Sequence, residues 1–210
     1  MEQGQFNPNE SLKLIDDMIR KAKGSYHDTG IGPILWGTVI SICAIITWTE
    51  RQYDYSLPFD IWFLSLIAVV PQIFISIRER KQRMAVRYED KAMGYIWSTF
   101  GIAIFLLILI NNTLIVALKE NAPDSVSIFG DYISAFFLLI YGIPTIITGG
   151  VMKFKYMLWG GVICWLLIIP SLFSSSKTDM LLIAVAAIAA WLIPGLILRN
   201  RYIKKQHCDI

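Results

Sequence analysis

The chain has 210 residues and a formal net charge of +3, with 55% hydrophobic and only 17% charged residues. Soluble domains carry about 25% charge; here the mean hydropathy is +0.54 and the charges cluster between long uncharged stretches, which excludes a water-soluble globule. The three cysteines have no paired spacing, so neither a disulfide framework nor a thiolate metal motif is expected.

Residues 1–24 read as a cytoplasmic amphipathic helix. Asn7 suits the cap, Pro8 the first helical position, and Glu10 completes a capping-box-like pattern. Leu12, Ile15, Ile19 and Ala22 then recur at helical spacing, with Asp16 and Asp17 early and Arg20, Lys21 and Lys23 late, as the helix dipole favours. Gly24 is a natural stop. No continuous apolar run precedes Ile31, so no cleavable signal peptide is expected and the first membrane segment directs insertion. The helix admits three roles: a lead into that segment, a docking surface for a cytoplasmic protein through Leu12, Ile15 and Ile19, or contact with lipid.

Residues 25–198 hold six stretches near the length of about 20 apolar residues that spans a bilayer as a helix. They are approximately 31–49, 57–77, 94–118, 128–152, 156–173 and 180–198, and 199–210 form a basic tail. The predicted class is all-α: a polytopic bundle of six transmembrane helices. Lysine and arginine set the orientation. The N-terminal segment, the second-to-third loop, the fourth-to-fifth loop and the tail hold sixteen of the nineteen, against Arg51, Lys119 and Lys177 on the other side. Both termini are therefore expected in the cytoplasm.

The loop after the second span, "RERKQRMAVRYEDK", holds Arg80, Lys81, Arg83, Arg87 and Lys91, with Arg78 at its start. Such cations attract anionic headgroups at about 1 kcal/mol each, although an ordinary positive-inside loop has the same composition. It belongs to no nucleic-acid-binding module, so no nucleic-acid partner is expected.

Residues for catalysis are missing. Glu50, Asp60 and Asp131 fall at the outer ends of spans, and His27 and His207 lie in cytoplasmic flanks without metal-ligand companions. There is no Ser-His-Asp candidate set and no glycine-rich phosphate loop, so no enzyme, catalytic residue, metal or cofactor is expected. What remains is uncharged. The fourth span places Asp131, Ser134, Tyr141, Thr145 and Thr148 near one face, interrupted by Leu138, and Gln72 adds a polar group beside Pro71 in the second span. This row supports either a polar path for a solute or ion, or hydroxyls bonding to their own backbone in a close-packed bundle.

The chain also repeats itself. "ILWGTVI" at 34–40 returns as "MLWGGVI" at 157–163, and the same shift of 123 residues carries Pro71 onto Pro194, Arg78 onto Arg201 and Lys81 onto Lys204. A duplicated helical hairpin accounts for the shared register, and the middle pair of spans echoes it weakly. The segments "SLKLIDDMIRKAK", "GPILWGTVI", "YGIPTIITGGVMKFK" and "GGVICW" resemble a family of small six-span bacterial inner-membrane proteins of unassigned function. The resemblance implies location and architecture and carries no site residue across. The expected role is a non-enzymatic scaffold or sensor engaging a cytoplasmic partner or the inner leaflet; the alternative is a small transporter or channel using the fourth-span polar face.

Overall fold

The computed structural model describes residues 29–82 and 88–208, and these residues form helices and short connections with no strand. The helices are α1 (Ile31–Tyr53), α2 (Phe63–Gln82), α3 (Tyr88–Asn121), α4 (Ser125–Val151), α5 (Lys155–Leu166), the single turn α6 (Ile168–Ser171), α7 (Ser176–Ala187) and α8 (Ile193–Cys208). A π-helical turn, Ile188–Leu192, joins α7 to α8. The expected amphipathic helix over 1–24, with Leu12, Ile15 and Ile19, lies outside the described residues, as do Arg83 and Arg87.

Four helical segments are long and apolar enough to cross a membrane: Ile31–Tyr53, Lys91–Asn121, Ile128–Val151 and Ser176–Lys204. The other two expected spans are shorter as apolar helices. In the second stretch the chain from Leu57 to Trp62 runs as loop, and helix begins only at Phe63. The fifth is interrupted at Leu167. Pro170 supplies the reason: its ring collides with the carbonyl four residues back, at Leu166, and it has no N–H to return. Pro194 acts on the last helix in the same way, but there the backbone widens instead of breaking. The amide of Ile193 reaches the carbonyl of Ile188, five residues back, and the helix continues.

The core is formed by α1, α4, α5 and the α7–π–α8 rod, while α2 packs on α1 and α3 packs along α4. Two short-sided contacts bring the rod close to its neighbours. A Cβ built on Gly37 of α1 would lie 2.5 Å from the backbone nitrogen of Leu192, and one on Gly160 of α5 would lie 2.6 Å from Ala189 O and Ala190 Cα. Both Leu-Trp-Gly motifs thus press their glycine onto the same π turn, from opposite sequence ends of the fold. The helices that carry them differ, since α1 runs unbroken for 23 residues and α5 for 12. Their tryptophans differ too: Trp36 packs partly buried against the core, whereas Trp159 is 62% exposed.

The outward faces of α2 and α3 are lined by exposed Phe, Leu, Ile and Val, among them Phe63, Leu66, Ile67, Val70, Phe74, Ile102, Phe105, Leu109 and Ile110. In water such surfaces would aggregate; against acyl chains they are the ordinary outer wall of a bundle. At about 1.5 Å per residue α3 is roughly 50 Å long, longer than the roughly 30 Å of a bilayer's hydrocarbon, and it carries Lys91 and Lys119 near its ends.

The two ends of the bundle differ in charge. One end gathers Arg78, Lys81, Lys153, Lys155, Arg199, Arg201 and Lys204, held together where Thr29 bonds Glu79, Gly30 meets Gly195, and Arg201 lies over Phe154. The opposite end carries seven acidic residues, Glu50, Asp54, Asp60, Glu120, Asp124, Asp131 and Asp179, against Arg51, Lys119 and Lys177.

Candidate functional sites

The basic end contains an open pocket of about 440 Å³ lined by Lys153, Phe154, Lys155, Tyr156, Trp159 and Arg201. Its shape comes from the turn between α4 and α5. The amide of Phe154 bonds Gly149 O at 2.8 Å and that of Lys153 bonds Gly150 O at 3.2 Å. This pairing is a Schellman motif, whose C′ residue takes the left-handed conformation and is usually glycine. Here it is Lys153, at φ 50°. A side chain in that region costs about 1–2 kcal/mol relative to glycine, and in return a cation stands at the helix C-terminus, where the dipole favours it. Phe154 folds inward and is buried, while Lys153, Lys155, Tyr156 and Trp159 remain exposed. Arg201 arrives from α8, its guanidinium 5.3 Å from the Phe154 ring centroid and 5.7 Å from that of Tyr156. The two rings hold the guanidinium by cation–π attraction and leave its N–H donors for another partner. Three cations thus line one pocket beside amphipathic aromatics.

The second site is the polar row of α4. Ser134, Leu138, Tyr141, Thr145 and Thr148 are all buried, on one face turned into the bundle. At the middle, Thr145 donates to Tyr141 O at 2.7 Å and accepts from Trp191 Nε1 at 3.0 Å. Trp191 sits on the π turn and lies 4.8 Å, centroid to centroid, from Tyr141. Phe100 and Trp97 of α3 pack against Trp191, and Phe137 flanks Tyr141. The bond from Thr145 to its own backbone is the packing behaviour expected of a membrane hydroxyl. Ser134 and Thr148 differ: both hydroxyls are buried without a well-formed hydrogen bond, and Ser134 faces the carboxylate of Asp179.

Gln72 does not join this row. It lies between α2 and α1, where Nε2 donates to Ser76 at 3.2 Å and the amide faces Gly32. Of the residues expected to touch a partner or lipid, Arg78 and Lys81 are exposed on the last turns of α2. Arg80 belongs to the same helix.

Asp179 was not singled out by the sequence, which placed it in a short outer connection before the sixth span. The structure begins that helix at Ser176, and Asp179 is fully buried in its first turns. Ser174 donates to Asp179 Oδ1, and the hydroxyls of Ser171 and Ser134 also face the carboxylate. Nearby, Asp131 Oδ1 accepts the Ser176 amide at 3.0 Å, and Arg51 donates to Ser176 O at 2.8 Å and to its hydroxyl. The signal in the sequence was "SSSKTD", a serine run ahead of an acidic residue in a first helical turn, which ordinarily marks an exposed helix start. No group of three or more His, Cys, Asp or Glu side chains suited to a metal occurs among the described residues.

Comparison with family models, curated proteins and solved structures finds no match. What the fold defines is the class: an all-helical protein with several helices long and apolar enough for a membrane.

Proposed function

We propose that this protein is a six-span component of a bacterial inner membrane, with both termini cytoplasmic, that engages the anionic headgroups of the inner leaflet as a non-enzymatic scaffold or sensor. The convergence of Lys153, Lys155 and Arg201 on one aromatic-lined pocket carries the reading. The charge difference between the two ends supports the orientation, since lysine and arginine are retained on the cytoplasmic side. In this reading the shorter α2 and the broken α5–α6 complete the spans, and the two glycines meeting one π turn are the trace of a repeated hairpin.

At about 1 kcal/mol per cation near an anionic surface, the pocket is worth about 3 kcal/mol, or on the order of a hundredfold in affinity. The test is thermal unfolding of the protein purified in neutral detergent, with short-chain phosphatidylglycerol or phosphatidylcholine added. Phosphatidylglycerol is expected to raise the midpoint by several degrees, and the K153G/K155Q/R201Q variant is expected to lose that increment. Glycerol phosphate in a parallel sample separates a lipid site from a soluble-phosphate site. Equal stabilisation by both lipids would refute the reading.

A second reading, a small-solute or ion path along α4, is favoured by the buried and unpartnered hydroxyl of Thr148. It predicts solute flux in proteoliposomes that T145V/T148V reduces, and an absence of flux across a broad panel of solutes would sink it.

A further inference from the structure

At the acidic end, three buried oxygens from three helices face one another without a well-formed hydrogen bond: Ser134 Oγ of α4, Ser171 Oγ of α6 and Asp179 Oδ2 of α7. Their residues are 0%, 1% and 0% exposed. Ser174 donates to the other carboxylate oxygen, and the hydroxyls of Ser171 and Ser134 are the neutral groups beside it. A buried carboxylate surrounded by neutral hydroxyls alone costs several kcal/mol unless its charge is met. The nearest cation does not meet it, because Arg51 is spent on Ser176, whose amide in turn holds Asp131. Lys177, two residues away, points outward and is exposed.

We propose that Asp179, Ser134 and Ser171 form a buried binding site for a small monovalent cation, sodium or lithium. One carboxylate and neutral hydroxyls are hard oxygen donors, the ligand type of group 1 and group 2 ions rather than of transition metals. Charge selects the monovalent ion. A single carboxylate neutralises it completely, whereas a divalent ion would need a second at the site; Asp131 acts on Asp179 only through space, is half-buried, and holds the Ser176 amide. The location adds a mechanical consequence. The Ser171 amide bonds Leu167 O at 3.2 Å, within the segment that Pro170 sets off from α5, and a cation would fasten α6 and α7 to α4. The site is independent of the lipid pocket at the other end, so failure of either leaves the other standing.

The experiment is thermal unfolding of the full-length protein in detergent, titrated with NaCl, LiCl, KCl or choline chloride at constant ionic strength. Sodium and lithium are expected to raise the midpoint saturably over choline. Asp179→Asn is expected to abolish the sodium dependence. Ser134→Ala and Ser171→Ala, which remove one hydroxyl and leave the carboxylate, are expected to raise the half-saturating sodium concentration at least tenfold; they keep the test decisive if the asparagine variant does not fold. Identical midpoints in all four salts overturn the proposal. So does a sodium response undiminished in all three variants, or a midpoint that follows pH alone, which would assign the site to a proton.

Discussion

Replacing Gly37 by alanine puts a methyl carbon 2.5 Å from Leu192 N, 2.8 Å from its Cα and 2.9 Å from its Cβ. Carbon atoms at rest sit about 3.5–4.0 Å apart, so α1 and the π turn must separate by about 1 Å. The obstacle is backbone on a packed rod, not the end of a flexible side chain. Overpacking of this kind costs about 1–3 kcal/mol, and the better helix propensity of alanine returns at most about 1 kcal/mol. The net expectation is destabilisation by about 1–2 kcal/mol. Gly101 of α3 is the control, because a Cβ there meets nothing within 4 Å. There only propensity acts, and stabilisation of up to about 1 kcal/mol is expected. The same substitution thus changes sign between two helices. Unfolding in mixed micelles, followed by loss of helical circular dichroism, measures both. If Gly37→Ala proves as stable as Gly101→Ala, the close approach of α1 to the rod is wrong.

Gly160→Ala is expected to destabilise like Gly37→Ala, and because both press on residues 188–192 the double variant should depart from additivity by 0.5 kcal/mol or more, about the threshold for coupled sites. Lys153→Gly should stabilise the fold by about 1 kcal/mol through relief of the left-handed backbone while weakening the response to phosphatidylglycerol, two readouts moving in opposite directions. Trp191→Phe removes the donor to Thr145 and should cost about 1 kcal/mol beyond the lost ring area, measured in the same unfolding assay against Thr145→Val. For topology, Tyr53→Cys in a Cys208→Ser background should react with a membrane-impermeant maleimide only from outside the cell, since Tyr53 is 71% exposed and Cys43 and Cys164 are buried; labelling only from the cytoplasmic side would overturn the proposed orientation.

Helical class, four of the six expected membrane-length segments and the contrast between basic and acidic ends were legible in the sequence. These are properties of local composition: an apolar run long enough to cross lipid must be helical to satisfy its backbone, whatever it packs against. The inward face of α4 was legible too, because Ser134, Tyr141, Thr145 and Thr148 share a helical stripe. Which of those hydroxyls are satisfied was not. Thr145 is occupied by Trp191, a residue 46 positions away, and Ser134 faces Asp179, comparably remote in the chain. Gln72 was grouped with the row on polarity alone, and the packing of α2 on α1 separates it.

Tertiary structure decided the rest. Proline marks where a helix ladder is interrupted, but Pro170 ends a helix and Pro194 widens one, and the difference depends on what surrounds each. The small residues flanking the π turn let Gly37 and Gly160 seat against it, so a repeated motif in one dimension became two contacts on one element in three. The lysine beside a pair of glycines at 149–150 reads in sequence as an ordinary loop cation; only the Schellman turn aims it across from an arginine 48 residues later. Asp179 is the clearest case. Its sequence neighbours are serines and a lysine, the vocabulary of an exposed helix start, and nothing local marks it for burial. It is buried because α4 and the broken end of α5–α6 close over it, a fact about which faces meet, and that information is carried by packing across the chain rather than by any window along it.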